Sequence, residues 1–287
     1  MTSLDDDLAL AHALADCADA ITLARFGAAD LHVEAKADLT PVTDADRACE
    51  DALRDMLARE RPDDAVLGEE RGGSIPSERG WIIDPIDGTK NYVRGVPTWA
   101  SLIGLVDGGQ VILGCVSAPA LGRRWWAARG RGAHVCALGA TRRIHVSGVG
   151  RIEDASLSYS SLTGWRDLGL LDNFLALNMD AWRARAFGDF YSYMLLAEGC
   201  VDIACEPELA LHDMAALVPI VEEAGGRFTS LAGEDGPWGT NALATMAAST
   251  PRFSATSAPE RPPNTDLMRG HAACSPSSPS SHDTQSR

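Results

Sequence analysis

Nowhere among the 287 residues is there an unbroken apolar stretch of about 20, the length a helix needs to cross a bilayer, so no membrane span is expected. The opening segment MTSLDDDLALAHALADCADA lacks the basic residues and continuous apolar run of a secretory signal. It carries acids instead, and its apolar residues are spaced as one helical face. Cysteine has no pattern: seven residues, an odd number and without a CxxC pair, fit reduced thiols in a cytoplasm and give no zinc site. Cys200 and Cys205 read as small core residues. Basic residues are outnumbered, 25 Lys and Arg against 40 Asp and Glu, giving a net charge of −15 with no basic stripe. Neither nucleic acid nor an anionic membrane is therefore expected as a main partner. The pair Trp125 and Trp126 hints at base stacking, but neighbours on a strand point to opposite faces, so core and surface packing is the better reading. What is present is 45% hydrophobic residues, enough to bury a large core in two domains or one large one.

The apolar spacing predicts helices over residues 4–26 and 44–59, followed by strand-like runs over 65–146 separated by Gly-containing turns. After that, strand and helix alternate: ASLSYSS, a helix over 168–177, WRARAF, a helix over 191–198, VDIACEP, and a helix containing Met214 and bent at Pro219. An antiparallel half followed by an alternating half indicates an α+β or α/β sandwich with domains over 1–145 and 146–250. From Pro251 the chain turns Pro- and Ser-rich, and such composition cannot bury enough apolar surface to offset the entropy of ordering. Residues 251–287 are expected to be a disordered tail.

The most informative stretch is WIIDPIDGTKN, residues 81–91. A residue before proline is held extended, so Asp84 is expected to end a strand with its carboxylate at the sheet edge, and Asp87 follows one turn later. Gly88 and Thr89 can open a helix whose free N–H groups face the same space and attract phosphate. Two acids beside an anion would repel it unless a hard cation sits between them, so the motif implies metal plus phosphate. Any single Asp here, taken alone, reads better as a turn or cap. Three further acidic segments weaken that plainer reading. GEE, with Glu69, ends the apolar run 65–67. TPVTDAD puts Asp44 at the head of an amphipathic helix. In LHDMAALVPIVEEAGG, Asp213 sits where a helix starts.

Carrying these elements in this order, the chain resembles the Mg2+-dependent, lithium-sensitive phosphatases typified by inositol monophosphatase, from the first helix to about Thr245. The stretches RRWWAARGRGA and WRARAFGDFYSYMLLAEGCVD look most like histidinol-phosphate phosphatases of the actinobacterial type. The resemblance implies a layered αβαβα sandwich of the inositol monophosphatase and fructose-1,6-bisphosphatase type, commonly a homodimer, with metals in the cleft between its halves. It implies that Glu69, Asp84, Asp87 and Asp213, with the carbonyl of Ile86, hold two or three Mg2+, for which Mn2+ can substitute. Gly88 and Thr89 would cradle the phosphate, with Asp87 and Asp213 also facing it. Glu69, Asp44 and the Thr89 hydroxyl would orient an attacking water, without a phosphoenzyme. His212 stands where many relatives carry Trp and reads as packing or as a residue behind the ligands.

For the rest of the substrate, a small phosphomonoester, the resemblance points to Arg185, Asp189 and Glu206. Histidinol phosphate carries an ammonium and an imidazole, so Glu206 with Asp44 or Asp189 would neutralise the ammonium, whereas inositol asks for hydroxyl partners. Taken alone, Arg185 reads as readily as a surface ion pair. Two alternatives stand beside this reading: a catalytically silent metal-binding protein, and a relative acting on inositol phosphate, fructose bisphosphate or a 3′-phosphoadenylate nucleotide.

Overall fold

A computed structural model of the chain describes residues 3–36, 39–75 and 78–246. The tail expected from Pro251 lies outside the described residues. The first helix, α1 (Leu4–Arg25), starts at Ser3, whose hydroxyl accepts the Asp6 N–H while the Asp6 carboxylate accepts the Ser3 N–H. This reciprocal cap satisfies two amides that the helix itself cannot use. A short antiparallel pair, β1 (Val33–Ala35) and β2 (Pro41–Thr43), leads into α2 (Asp44–Glu60), where Thr43 and Asp46 repeat the cap.

Seven strands follow: β3 (Ala65–Gly68), β4 (Arg79–Asp87), then, after the short helix α3 (Thr89–Val93), β5 (Ala100–Asp107), β6 (Gln110–Ala118), β7 (Arg123–Ala128), β8 (Ala133–Ala137) and β9 (Ala140–Ile144). They form one sheet in sequence order, antiparallel except for the parallel pair β3 and β4. The remaining chain runs β10 (Ser156–Ser158), α4 (Thr163–Asp167), α5 (Leu171–Asp180), β11 (Arg183–Arg185), α6 (Asp189–Ala197), β12 (Ile203–Glu206), α7 (Leu211–Ala215), α8 (Leu217–Glu223), β13 (Gly226–Thr229) and β14 (Ala242–Met246). Its five strands make a second sheet in the order β11-β10-β12-β14-β13.

Three apolar clusters show how these parts stack. Leu10, Leu14 and Ala18 of α1 and Leu53 and Leu57 of α2 bury one face of the first sheet, against Trp81, Ile83, Ile103 and Leu113. The other face, through Leu102, Val116, Trp125 and Val135, packs on α6 and α8, which in turn cover Ala204, Phe228 and Ala244 of the second sheet. Trp165 and Phe174 of α4 and α5 close the outer face of that sheet over Leu157, Ile203 and Leu243. The result is helix, sheet, helix, sheet, helix, as the resemblance implied, because each sheet is apolar on both faces and each face needs a cover. All described residues fall within one compact unit, and no described helix is long and apolar enough to cross a membrane.

Several expectations are corrected. The strand carrying Asp84 does not end there but continues through Pro85 to Asp87. The helix expected over 168–177 is α5, and a further short helix that was not expected, α4, precedes it, parted from it at Gly169, which has a positive φ of 69°. Cys200 is exposed, while Cys205 is buried as expected. Trp126 is half-buried, stacked on His134 with ring centroids 5.7 Å apart and met edge-on by His12 of α1. The bend attributed to Pro219 is a break: α7 ends at Ala215, the residue whose carbonyl a non-proline at 219 would bond. That break lies hard against the first sheet. A Cβ on Gly114 would overlap the Ala216 carbonyl oxygen, so only glycine permits the approach.

Candidate active site

The acids converge at the C-terminal end of β4. Because β3 runs parallel to β4 with Gly68 opposite Ile83, Glu69 emerges beside Asp84, and its N–H donates to the Ile83 carbonyl at 3.3 Å. Asp84 and Asp87 are three residues apart, and in a regular strand they would point to opposite faces. Here Asp84 pairs with Leu102 but Asp87 with Ala100, so three steps on β4 match two on β5. The extra residue is a bulge, which tolerates the missing N–H of Pro85 and turns both carboxylates to one side. The Asp84 carboxylate also accepts the Ile86 N–H at 2.9 Å. Asp213 arrives from the first turn of α7, accepting the Ala210 N–H at 2.7 Å.

One carboxylate oxygen each from Asp84, Asp87 and Asp213 lie within 4.8 Å of one another, as do ligand atoms of Glu69, Asp84 and His212. Burial pushes Asp84 well above the usual carboxylate range, and the charges of Glu69, Asp87 and Asp213 push it further. Asp87 is raised in the same way by burial, then by Asp189 and Asp213. Burial also raises Asp213, with Glu69 adding to the shift. Anionic oxygens this close repel, and an all-oxygen donor set of this kind suits a hard divalent cation. The residues present therefore fit a metal. His212 adds an imidazole to this cluster, its Nε2 3.6 Å from Asp213 Oδ1, so it stands among the acids and not in packing.

Gly88, with φ of 83°, turns the chain from Asp87 into α3. The Thr89 hydroxyl donates to the Ile86 carbonyl at 3.0 Å, which leaves the second lone pair of that carbonyl to serve a metal. Beyond Asp87 stands a second acidic wall. Asp189 opens α6 in the left-handed conformation, φ 49°, uncommon for a residue with a side chain. Its carboxylate accepts from Asn91 Nδ2 at 3.0 Å, and the next amide, Phe190 N–H, donates to Asp87 at 2.8 Å. Glu206, at the end of β12, is buried with one oxygen lacking any hydrogen-bond partner among the described residues. Burial lifts its carboxyl to about 8, and the charges of Asp189 and Asp213 add to that.

Two further predicted residues are not among the grouped ligand atoms. Asp44 is 41% exposed in its side chain and paired through Oδ2 with Arg25 at 2.7 Å, while its Oδ1 is buried without a hydrogen-bond partner among the described residues. Arg185 lies exposed on β11, with its guanidinium on the Ala184 carbonyl at 2.7 Å. Sequence reasoning missed Asp46, which is buried, keeps one oxygen without a partner, and is pushed up to about 7 by burial, with Glu70 and Glu69 adding. The signal was available: Asp46, Cys49, Glu50, Leu53 and Leu57 form one helical stripe, and all are buried. It also missed Lys36, whose ammonium bridges Glu69 at 2.7 Å and Glu70 at 2.6 Å.

The sequence matches the inositol monophosphatase family over residues 3–264. It is 60% identical over 242 residues to a histidinol-phosphatase of Mycobacterium tuberculosis, covering 84% of this chain and 93% of that one. A histidinol-phosphatase of Streptomyces coelicolor is 57% identical over 244 residues, covering 83% and 92%. Among solved structures, an inositol monophosphatase from Zymomonas mobilis superposes with a TM-score of 0.74 at 33% identity, covering 85% of this chain and 94% of that one. With its metal-fit acid cluster and five-layer architecture in agreement, the chain belongs to the inositol monophosphatase family.

Proposed function

We propose that this enzyme is a Mg2+-dependent phosphomonoesterase that hydrolyses L-histidinol phosphate to L-histidinol and inorganic phosphate. The reading rests above all on the convergence of Asp84, Asp87 and Asp213 within 4.8 Å, next to Glu69, in a chain this similar to two histidinol-phosphatases. Glu69, Asp84, Asp87, Asp213 and the Ile86 carbonyl would hold Mg2+, with Mn2+ as a substitute, since every one offers oxygen. When bound, the metal supplies positive charge for the phosphoryl oxygens and the leaving alkoxide and makes water a better nucleophile at neutral pH.

The chain's own groups do the rest. Gly88 and Thr89 present the first amides of α3, which the helix itself does not use, to the phosphate. Asp46, beside Glu69 and Glu70, takes the role first given to Asp44: its unpartnered oxygen can accept the proton of the attacking water. Thr89 donates to Ile86 and so keeps its own lone pairs turned outward to hold that water. The leaving group is an amino alcohol, and its ammonium suits the buried carboxyl of Glu206 and the carboxylate of Asp189. Arg185 is left without a role in the pocket. As a working assembly the enzyme is taken to be a cytoplasmic homodimer, which sedimentation tests directly.

The deciding experiment measures phosphate release, with Mg2+ and with chelator, from L-histidinol phosphate, inositol 1-phosphate, fructose 1,6-bisphosphate and phosphoadenosine phosphate. Metal-dependent release should be greatest from L-histidinol phosphate. A preference for inositol 1-phosphate would overturn the substrate assignment, and release unaffected by chelator or by Asp87→Asn would overturn the metal mechanism.

A further inference from the structure

Glu50 lies on α2, fully buried, and touches none of the acids of the metal cluster directly. Its carboxylate nonetheless collects three donors. One oxygen, Oε2, accepts the backbone N–H of Glu70 at 2.6 Å. The other, Oε1, accepts the N–H of Arg71 at 3.0 Å and Arg54 Nε at 2.7 Å. Arg54, one turn further along the helix, also donates to the Gly72 carbonyl. Gly68 in turn donates to that Gly72 carbonyl at 3.0 Å, so the strap 68–72 is closed on itself and held to α2 at Glu70, Arg71 and Gly72.

The geometry matters for the residue in the middle of the strap. The direction of the Glu69 side chain follows from its two backbone torsions. The peptide before Glu69 is fixed by its own N–H on the Ile83 carbonyl, and the peptide after it is fixed by the Glu70 N–H on Glu50. One bond restrains φ and the other restrains ψ, so a core strand and a helix carboxylate together aim Glu69 at Asp84. The clamp has also shaped the sequence: a Cβ on Gly68 would overlap the Glu50 carboxylate, so the residue before Glu69 has to be glycine for Glu50 to reach the strap.

We infer that Glu50 is a positioning residue for metal binding, setting the Glu69 backbone through the Glu70 and Arg71 amides so that Glu69 meets the metal without reorganising. The inference rests on the reading of Glu69 as a metal ligand. A neutral amide in place of the carboxylate turns an NH2 towards at least one of the three donors, so one strap amide or Arg54 loses its acceptor and the Glu69 backbone is freed. Groups that orient metal ligands in this way typically change metal affinity by about 10-fold to 100-fold when replaced.

The test uses the full chain and two readouts: Mn2+ binding followed by electron paramagnetic resonance, and the Mg2+ concentration for half-maximal phosphatase rate. For Glu50→Gln the expected result is a Kd for Mn2+ and a Mg2+ half-saturation each raised about 10-fold or more. Substrate KM and kcat should return towards wild type once Mg2+ saturates. A purely structural role would instead lower kcat at every Mg2+ concentration and leave the Kd for Mn2+ unmoved. Gly68→Ala, which drives a methyl group into the same carboxylate, should shift both readouts in the same direction and serves if Glu50→Gln does not fold. A folded variant with both values unchanged overturns the proposal, and so does failure of both variants to fold, since Glu50 would then determine the fold itself. Wild-type Mn2+ binding tests the centre separately: its absence defeats the metal site, whereas unchanged binding in the variants defeats only the role of Glu50.

Discussion

Asp44 and Asp46 stand two residues apart at the head of α2, in opposite electrical settings. Each keeps one buried oxygen without a partner among the described residues, but Asp44 is half-exposed and its other oxygen is answered by Arg25, an ion pair of the kind worth up to about 1 kcal/mol. Asp46 is buried, partly unpartnered and raised to about 7. Asp46→Asn is therefore expected to lower kcat at saturating Mg2+ by about 100-fold or more, the usual worth of a proton acceptor in the reaction, while Asp44→Asn stays within a few-fold. Initial rates of phosphate release decide it, and a larger loss from Asp44→Asn would return the role to Asp44. The two acids are hard to separate by motif because both sit in VTDAD, but helical periodicity separates them: only Asp46 shares the buried stripe with Cys49 and Leu53. Glu206 carries the second prediction at this scale. A charge-assisted hydrogen bond contributes about 1.5–3 kcal/mol, so Glu206→Gln should reduce kcat/KM for L-histidinol phosphate by about 10-fold or more and affect a phosphate ester of a neutral alcohol much less. Equal losses on both esters would remove Glu206 from substrate selection.

At the scale of elements, the site depends on two irregularities. The bulge at Pro85 brings Asp84 and Asp87 to one side of β4, and the break at Ala216 lets α7 deliver Asp213 while α8 packs beneath the sheet. Pro85 and Pro219 announced both places in the sequence, though the first was read as the end of a strand. A proline restricts the local backbone but does not say whether the partner strand continues, because that is decided by pairing with β5. The order of the second sheet was beyond reading for a similar reason: β14 lies between β12 and β13 through contacts distant in the chain. Gly114 had no signal, since its need comes from the Ala216 carbonyl approaching from more than a hundred residues away. Forcing a methyl group into such a contact costs about 1–3 kcal/mol, and Gly114→Ala should lower the midpoint of urea unfolding accordingly. An unchanged midpoint would mean that α7 and α8 can lift from the sheet without penalty.

Across the whole molecule, the acid cluster opposes the apolar layers that enclose it. Asp84 and Asp87 are raised well above the usual range, Asp46 to about 7 and Glu206 to about 8, chiefly by burial. A group raised on folding binds its proton more tightly in the folded state, so its contribution is intact below the ordinary carboxylate range and is lost as pH rises through the folded value. Metal-free protein should therefore lose Tm between about pH 5 and about pH 8, and Mg2+ should raise Tm more at the upper end than at the lower. Carboxylates shifted the other way, such as Glu34, are exposed and act below that window. A metal-free Tm that climbs over the same interval, followed by differential scanning fluorimetry, would show that the cluster does not govern stability there.

The bridge from Lys36 to Glu69 and Glu70 has a chemical corollary. The chain holds only two lysines, Lys36 and Lys90, and Lys90 directly follows Thr89; all other fixed cations among its side chains are guanidinium groups. Apart from the terminal amine, acylation and amine-directed labelling are therefore confined to Lys36, beside Glu69 and Glu70, and Lys90, next to Thr89. For this protein, a reagent that elsewhere decorates an entire surface has only two side-chain targets.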